Sequence, residues 1–496
     1  MTQSSSTYGQ ILKNTGLLGG VQVVQVFLSI VRNKVAALLI GTFGMGLADL
    51  YSRMAEFVGS ATNLGISFSS IRRLSALHDS ADRQAIAAHI RVVRSWTLLT
   101  AIAGMLACIL LSPLLSLWTL GDTHTQKGFI LLSPMVALLT LTGGEMAILK
   151  ALRQLKTIAA VNLIGALLAV LIAVPLYYAM GVHGILPVLF CSTGVMFLLN
   201  LHATHKLFPY RVSLFSLKTF RLGGDLVRLG SAYIIAGLAG SGAELIVRSY
   251  ISQTATLQRE GLFVAGVALI VSYSRLIFAA LDADYFPRLS SVVDDRTIRN
   301  QTVNKQIDVL VLLMAPMLIV LALTAPLVVR ILYSEAFLES VPMILCAMSY
   351  VYFKAVYSPI AYLPLAKGHS LTYLIMELIY DMVFVVLVTV GHARYGLVGA
   401  GIGLSLANLC DLLLISLVYG IRYQFRYDRR TVVRQTIQYA LLLTTIALAL
   451  MPVGWWRWPL GGSCLIVSLT YSWFLLKRKT GVIQRLNNLR QHFRKQ

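Results

Sequence analysis

The chain has 496 residues, of which 57% are hydrophobic and only 12% are charged, and its mean hydropathy is +0.75. A soluble domain cannot bury that much apolar surface, so the composition excludes a soluble enzyme and predicts a polytopic membrane protein. The net charge of +22 would suit a nucleic-acid-binding protein, but the basic residues cluster in alternate loops between apolar runs. No nucleic-acid partner is therefore expected.

Apolar runs of about 20 residues or more, the length of a membrane-spanning helix, predict fourteen spans and an all-α fold. The first six are expected near 14–41, 43–71, 95–118, 128–150, 158–179 and 183–204. The next six are expected near 229–252, 261–286, 307–332, 341–366, 371–391 and 397–421. Two further spans lie near 434–453 and 457–477.

Lysine and arginine are concentrated in every second connection between these spans. The basic connections are 72–94, 150–156, 206–228, 288–305, 422–434 and the C-terminal tail, whereas 119–127 and 391–396 each hold one basic residue. Short cytoplasmic loops carry such an excess of positive charge. Both termini are therefore predicted to lie in the cytoplasm.

The connections and the cysteines carry no sign of catalytic chemistry. None of the connections exceeds about 25 residues, and none holds a nucleotide-binding or hydrolase motif. The five cysteines lie in apolar runs without the spacing of metal ligands. We expect no metal, no cofactor and no catalytic residue, and hence not an enzyme.

The second predicted span carries three charges within its apolar body. Asp49, Arg53 and Glu56 stand at i, i+4 and i+7, which places them on one stripe of a helix. Charges inside a bilayer are costly unless they face protein or a water-filled cavity. Two interpretations stay open: the stripe is an internal ion pair that joins helices, or it lines a transport path.

The two halves of the chain match at a constant separation of 215 residues. The matching pairs are Gly46-Leu47 with Gly261-Leu262, Arg73-Leu74-Ser75 with Arg288-Leu289-Ser290, and Gly181 and Gly184 with Gly396 and Gly399. Internal repeats are common in transporters. The repeat predicts six-helix bundles over 1–206 and 207–422, related by a pseudo-two-fold axis, followed by two extra helices and a basic tail over 423–496.

Two stretches carry a resemblance to a known family. RNKVAALLIGTFGMGLADLYSRMAEFVGSATNLGISFSSIRRLS in the first half, and AKGHSLTYLIMELIYD after Lys354 in the second, resemble the Wzx-type O-antigen flippases of the multidrug/oligosaccharidyl-lipid/polysaccharide (MOP) exporter superfamily. So does the arrangement of fourteen spans as two six-helix bundles with two additional helices.

The resemblance implies a transporter that flips an undecaprenyl-pyrophosphate-linked oligosaccharide, an O-antigen or similar polysaccharide repeat unit. Transport would run by alternating access from the inner to the outer leaflet of the cytoplasmic membrane of a bacterium. The implied partners are this lipid-linked oligosaccharide, membrane lipids, and the polysaccharide polymerase with its chain-length machinery.

The charged residues of the predicted spans suit a pyrophosphate ligand, because arginine offers a fixed fork of donors to phosphate oxygens. The candidate substrate-binding residues are Arg32, Lys34, Arg53, Glu56, Arg248, Arg275 and Lys354. Candidates for ion coupling or for ion pairs in the cavity are Asp49, Glu377, Asp381 and Asp411. Arg32 and Lys34 point about 200° apart on a helix, so they cannot both face a cavity. Internal neutralisation by Glu56, Glu377 and Asp381 is the alternative to ligand binding.

Three other functions are weighed against the flippase. A cation-coupled multidrug exporter of the same superfamily would need acidic residues in an apolar pocket, but the first span has no acid and the mid-depth charges are mainly basic. A lipid II flippase is a second alternative. A membrane-embedded glycosyltransferase or polymerase would need a large catalytic loop, which the spacing of the spans does not provide.

Overall fold

The structure of the chain is a computed structural model that describes residues 24–79, 82–122, 125–213, 217–280, 285–451 and 456–479. Within these ranges the regular elements are all helices. The first nine are α1 (24–39), α2 (Gly41–Asn63), α3 (Ile66–Asp79), α4 (Arg83–Leu110), α5 (Ser112–Leu120), α6 (Gln126–Ala151), α7 (Leu155–Met180), α8 (Ile185–Leu207) and α9 (Leu217–Thr254). The others are α10 (Leu257–Ala280), α11 (Phe286–Ser291), α12 (Arg296–Leu332), α13 (Val341–Ala361), α14 (Leu363–Ala366), α15 (Ser370–Arg422), α16 (Arg429–Leu450) and α17 (Arg457–Lys479).

The helices confirm the predicted class of an all-α, multi-pass membrane protein. Each of the fourteen predicted spans overlaps one or two helices, although residues 14–23 of the first and 281–284 of the eighth lie outside the described residues. In the described ranges, eight segments are long and apolar enough to cross a membrane, and two of them, Leu155–Leu207 and Ser370–Arg422, each contain two spans. Helix α2 is not among these eight segments, because it carries three charged residues within its length.

The second predicted span is interrupted rather than continuous. After Asn63 the chain passes through Leu64 and Gly65, which both have positive φ, at 51° and 66°. Two successive left-handed residues cannot continue an α-helix, so α2 ends there and α3 begins at Ile66. The prediction of one helix from 43 to 71 was wrong at this point.

The described helices fall into two compact units. Unit 1 comprises the residues up to Val264 together with Ile331–Phe337, and unit 2 comprises Ala265–Arg330 and the residues from Leu338 onward. In unit 1, α9 packs against α2, α3, α4 and α5. The boundaries at 206/207 and 422/423, which come from the repeat, stay a prediction.

Equivalent glycines of the predicted repeat have similar backbone geometry. Gly181, after α7, has φ 53° and ψ −129°, and Gly396, at the turn inside α15, has φ 58° and ψ −143°. Both conformations suit glycine, which lacks the Cβ that forbids them to other residues. The backbone thus turns in a similar way at these two glycines.

Unit 1 contains a crossing of α2 and α10 at a second pair of equivalent glycines. A Cβ on Gly46 would overlap the carbonyl oxygen of Leu257, and a Cβ on Gly261 would overlap the carbonyl oxygen of Thr42. Such small residues let membrane helices approach backbone to backbone. The crossing depends on the absence of a side chain at both positions.

Gly46→Ala and Gly261→Ala are each expected to lower the melting temperature of the purified protein in detergent. The added methyl group meets backbone atoms that cannot move aside, and overpacking of this kind costs about 1–3 kcal/mol. Gly237→Ala is the control, because a Cβ on Gly237 of α9 meets no atom within 4 Å. Unfolding followed by intrinsic fluorescence tests this; melting of either crossing variant at the temperature of Gly237→Ala would contradict it.

Candidate functional site

The charged stripe of α2 is a chain of side-chain contacts along one face of the helix. Arg53 Nε lies 3.7 Å from Asp49 Oδ1, and Arg53 Nη1 lies 3.5 Å from Glu56 Oε2. These contacts follow from the i, i+4 and i, i+3 spacing, which brings side chains together on a helix surface. The stripe alone holds two carboxylates and one guanidinium.

Two neighbouring helices of unit 1 add three more charged groups to this stripe. Glu244 and Arg248 come from α9, and Glu260 comes from the first turn of α10. Arg53 Nη1 lies 3.2 Å from Glu244 Oε2, and Arg248 Nη1 donates a hydrogen bond to Asp49 Oδ2. Arg248 also lies 3.8 Å from Glu244 and 3.7 Å from Glu260. We call these six residues the charge cluster: Asp49, Arg53, Glu56, Glu244, Arg248 and Glu260.

The two arginines of the charge cluster have different surroundings. The side chain of Arg248 is 6% exposed and lies among three carboxylates, whereas that of Arg53 is 37% exposed. The contacts of Arg53 to carboxylates, at 3.2 to 3.7 Å, are longer than good charge-assisted hydrogen bonds of about 2.7–2.9 Å. Arg248 is thus enclosed by its partners, while Arg53 is the more accessible of the two arginines.

Glu260 is the most enclosed acid of the charge cluster. It is fully buried, and within the described part of the chain neither of its carboxyl oxygens has a hydrogen-bond partner. Arg248, at 3.7 Å, is a charge neighbour rather than a hydrogen-bond donor. Sequence analysis missed this residue because it stands one position before the predicted eighth span.

Arg53 lines a cavity of about 740 Å³ within unit 1. The walls come mainly from α1, α2, α6, α7 and α8, and the polar residues in them are Gln25, Arg32, Asn33, Asp49, Ser52, Arg53, Glu56, Thr142, Asn162, Ser192 and Thr193. Ligand cavities commonly have volumes of about 300–1,000 Å³ with a few polar groups in apolar walls. This cavity is large enough for a pyrophosphate group and part of a saccharide.

Four other basic candidates, Arg32, Lys34, Arg248 and Arg275, lie in different places. Arg32 is exposed and lines the cavity. Lys34 donates a hydrogen bond to the carbonyl oxygen of Tyr333 and is absent from the cavity wall. Arg248 is likewise outside that wall and reaches it through Asp49. The side chain of Arg275 lies outside the described residues.

The candidates of the second half surround a separate pocket of about 250 Å³ in unit 2. Lys354 of α13 and Glu377 and Asp411 of α15 line it together with several tyrosines. Asp381, one turn after Glu377 on the same helix, is not part of the lining. The structure therefore brings Glu377 and Asp411 together with Lys354, and leaves Asp381 outside.

A buried ion pair of unit 1 joins Glu145 to Arg94, an arginine that sequence analysis assigned to a loop. Arg94 Nε lies 2.8 Å from Glu145 Oε1, and Arg94 Nη2 donates to Glu145 Oε2 at 3.0 Å. The side chains are 1% and 4% exposed. Arg94 Nη1 also donates to the carbonyl oxygens of Phe208 and Pro209, at 3.3 and 2.9 Å. Arg94 was counted among the loop cations; the acidic Glu145 in the middle of an apolar run was the signal that a partner existed.

Comparison with solved structures identifies the fold. The lipid II flippase MurJ, in an inward closed conformation, superposes with a TM-score of 0.70 at 13% identity, over 94% of this chain and 99% of that one. An inward-facing multidrug resistance MATE family transporter of the MOP superfamily gives 0.64 at 13% identity, over 82% and 94%. A MOP superfamily transporter from Pyrococcus furiosus gives 0.58 at 13% identity, over 83% and 95%. The chain thus has the fold of the MOP superfamily, which confirms the resemblance found in the sequence.

The sequence itself identifies the family. Residues 20–342 match the family described as polysaccharide biosynthesis protein, and the chain belongs to that family. No curated protein matches the chain. Since the solved structures share only 13% identity with it, they establish its fold but not its substrate. The substrate has to be inferred from the residues of the site.

Proposed function

We propose that the chain is a flippase for an undecaprenyl-pyrophosphate-linked oligosaccharide, an O-antigen or a similar polysaccharide repeat unit. It moves this substrate from the inner to the outer leaflet of a bacterial cytoplasmic membrane by alternating access, and both of its termini lie in the cytoplasm. The observation that carries the proposal is Arg53, a half-exposed guanidinium in the polar wall of a cavity of about 740 Å³. The membership in a polysaccharide biosynthesis family supports the choice of cargo.

Binding of the pyrophosphate begins with an exchange of partners at Arg53. The guanidinium leaves the carboxylates of Glu56 and Glu244, which lie 3.5 and 3.2 Å away, and turns its fork of donors to the phosphate oxygens. Arg32, on the wall of the same cavity, adds a second cation. The polyprenyl chain stays in the lipid, so its apolar surface is not exposed to water.

The rest of the charge cluster keeps the site ready for this exchange. Arg248 fixes Asp49 by a hydrogen bond, and Asp49 in turn contacts Arg53 Nε at 3.7 Å. Residues whose rotamers are held by a second layer of hydrogen bonds are better oriented for binding. Arg248 thus acts as a positioning residue.

The remaining candidates extend the proposal beyond the charge cluster. Lys34, Arg275 and Lys354 are further basic contacts for the substrate during transport, and Asp49, Glu377, Asp381 and Asp411 are the candidates for ion coupling. The polymerase and chain-length machinery that use the flipped product are the proposed protein partners. A transporter of this kind needs no catalytic group of its own.

The excess of carboxylates favours a second candidate function. Four acids surround two arginines in the charge cluster, and a MATE transporter is among the structural neighbours. A cation-coupled multidrug exporter would use such acids to hold a cationic drug. A lipid II flippase, the activity named for MurJ, differs from the main proposal in the head group that the lipid pyrophosphate carries.

Reconstitution into liposomes separates these functions. The protein is expected to move a fluorescent polyprenyl-pyrophosphate oligosaccharide between leaflets, measured by dithionite quenching, and to leave ethidium uptake into the same vesicles unchanged. Lipid II serves as the third substrate. Transport of ethidium without transport of any lipid-linked saccharide would overturn the proposal, and preference for lipid II would replace the proposed cargo.

A further inference from the structure

The pocket of unit 2 is built differently from the cavity of unit 1. Its wall contains five tyrosines, two carboxylates, one lysine and one serine: Tyr357, Tyr362, Tyr373, Tyr380, Tyr419, Glu377, Asp411, Lys354 and Ser358. At about 250 Å³ it is large enough to admit a six-membered sugar ring with its hydroxyl groups.

The aromatic wall of this pocket is held in place from behind. Asn408 is fully buried; its Oδ1 accepts a hydrogen bond from the hydroxyl of Tyr357 at 3.0 Å, and its Nδ2 donates to the hydroxyl of Tyr380 at 3.2 Å. Nδ2 also donates to the carbonyl oxygen of Leu404 at 3.0 Å. One amide therefore orients two tyrosine rings, so the pocket exists before a ligand arrives and little order is lost on binding.

A third tyrosine ring is fixed by aromatic packing. Tyr419 is 1% exposed, and its ring lies edge-on to that of Tyr423, with centroids 5.3 Å apart. Tyr423 in turn contacts His369 Nδ1 through its hydroxyl, at 3.0 Å. The wall of the pocket is thus part of a continuous packed layer rather than a set of free side chains.

The mixed charges of the pocket point to a neutral ligand with many hydroxyl groups. Glu377 and Asp411 offer acceptors for hydroxyl donors, while Lys354 offers donors for hydroxyl acceptors. Lys354 Nζ also lies 5.7 Å from the ring of Tyr350 and 5.8 Å from that of Phe278. Since charges of both signs lie in the wall, an ion of either sign meets a like charge as well as an opposite one. The faces of the tyrosine rings supply apolar surface for the C–H face of a sugar.

We propose that this pocket is a binding site for one neutral pyranose unit of a saccharide. That this pyranose is a sugar of the transported cargo rests on the proposed flippase function. The binding of a pyranose in this pocket does not depend on that function. Lys354, Glu377 and Asp411 hydrogen-bond the ring hydroxyls, and the tyrosines contact the ring faces. The pocket thereby gives the protein a means to select the sugar, separate from the pyrophosphate that every such carrier shares.

Saturation-transfer NMR on the full-length protein in lipid nanodiscs tests the site. The probes are the methyl glycosides of glucose, galactose, N-acetylglucosamine and rhamnose, with tetraethylammonium as the cationic probe. We expect at least one glycoside to bind and tetraethylammonium not to compete with it. Glu377→Gln and Asp411→Asn each remove a charged acceptor while keeping the side-chain shape, and should raise the dissociation constant of that glycoside at least about tenfold.

Two control variants locate the binding. Asp381→Asn, on the same helix but outside the pocket, and Arg259→Gln, at an exposed position of unit 1, should both leave glycoside binding unchanged. Failure of all four glycosides to bind, competition by tetraethylammonium, or equal loss in Asp381→Asn and Glu377→Gln would overturn the proposal. Because the probes contain neither lipid nor pyrophosphate, failure of the flippase assay would leave a positive binding result intact.

Discussion

Replacing Arg53 by glutamine is expected to slow translocation of the lipid-linked oligosaccharide about 10- to 100-fold in proteoliposomes. Glutamine keeps much of the length of the side chain but removes the charged fork that the pyrophosphate needs. Hydrogen bonds to charged groups are worth about 1.5–3 kcal/mol, and each 1.4 kcal/mol is about tenfold. Arg53→Lys keeps a point charge without the fork and should have an intermediate rate.

The matched control is Arg259→Gln, which changes an exposed arginine in the first turn of α10. Both variants should insert into membranes and purify in equal amount, since neither residue belongs to the buried core. Translocation by Arg53→Gln at the rate of Arg259→Gln would show that the charges of α2 join helices and do not bind cargo. That result would select the structural interpretation of the stripe.

Loss of Arg94 is expected to cause a large fall in stability, about 3–5 kcal/mol, because it leaves Glu145 buried without its partner. Arg94 also holds two backbone carbonyls after α8, at Phe208 and Pro209, which lose their donor in the same step. Arg94→Leu should therefore melt well below the wild-type protein. Urea or thermal unfolding in detergent gives the measurement.

Two further variants decide whether the buried charge is the cause. Arg91→Leu changes an exposed arginine one turn earlier on α4 and should leave the melting temperature close to that of the wild type. The double variant Arg94→Leu/Glu145→Leu removes both charges and should regain much of the lost stability, as replacement of a buried pair by apolar residues is often neutral. A double variant as unstable as Arg94→Leu alone would contradict the explanation.

The helices were predictable from the sequence because a membrane span is determined by the hydrophobicity of its own residues. A run of about 20 apolar residues needs no knowledge of its neighbours, and the contacts of Arg53 with Asp49 and Glu56 follow from helical spacing alone. The interruption at Leu64–Gly65 was not predicted, because glycine is frequent inside membrane helices and Gly65 alone did not distinguish a helix end from a helix interior.

The partners that come from other helices were not predictable in the same way. Glu244 and Glu260 reach the stripe only through the packing of α9 and α10 in unit 1, and periodicity within one helix contains no information on which helices meet. Arg94 was assigned to a loop because the excess of basic residues in cytoplasmic loops is counted over all residues near the ends of the spans. That count does not show which of these side chains are buried among the helices. Tyr357 and Tyr362 stand close to Lys354 in the sequence, in an aromatic run that suits stacking on sugar rings or packing, whereas Tyr373, Tyr380 and Tyr419 of α15 join them only in the fold.

The crossing of α2 and α10 also limits how the chain can change over time. In most helix contacts a larger residue on one side can be accommodated by a smaller one on the other. Gly46 and Gly261 are already both the smallest residue, and each faces the backbone of the opposite helix. A larger residue at either site cannot be compensated by a smaller one at the other. Both positions are therefore expected to remain glycine, although they lie 215 residues apart.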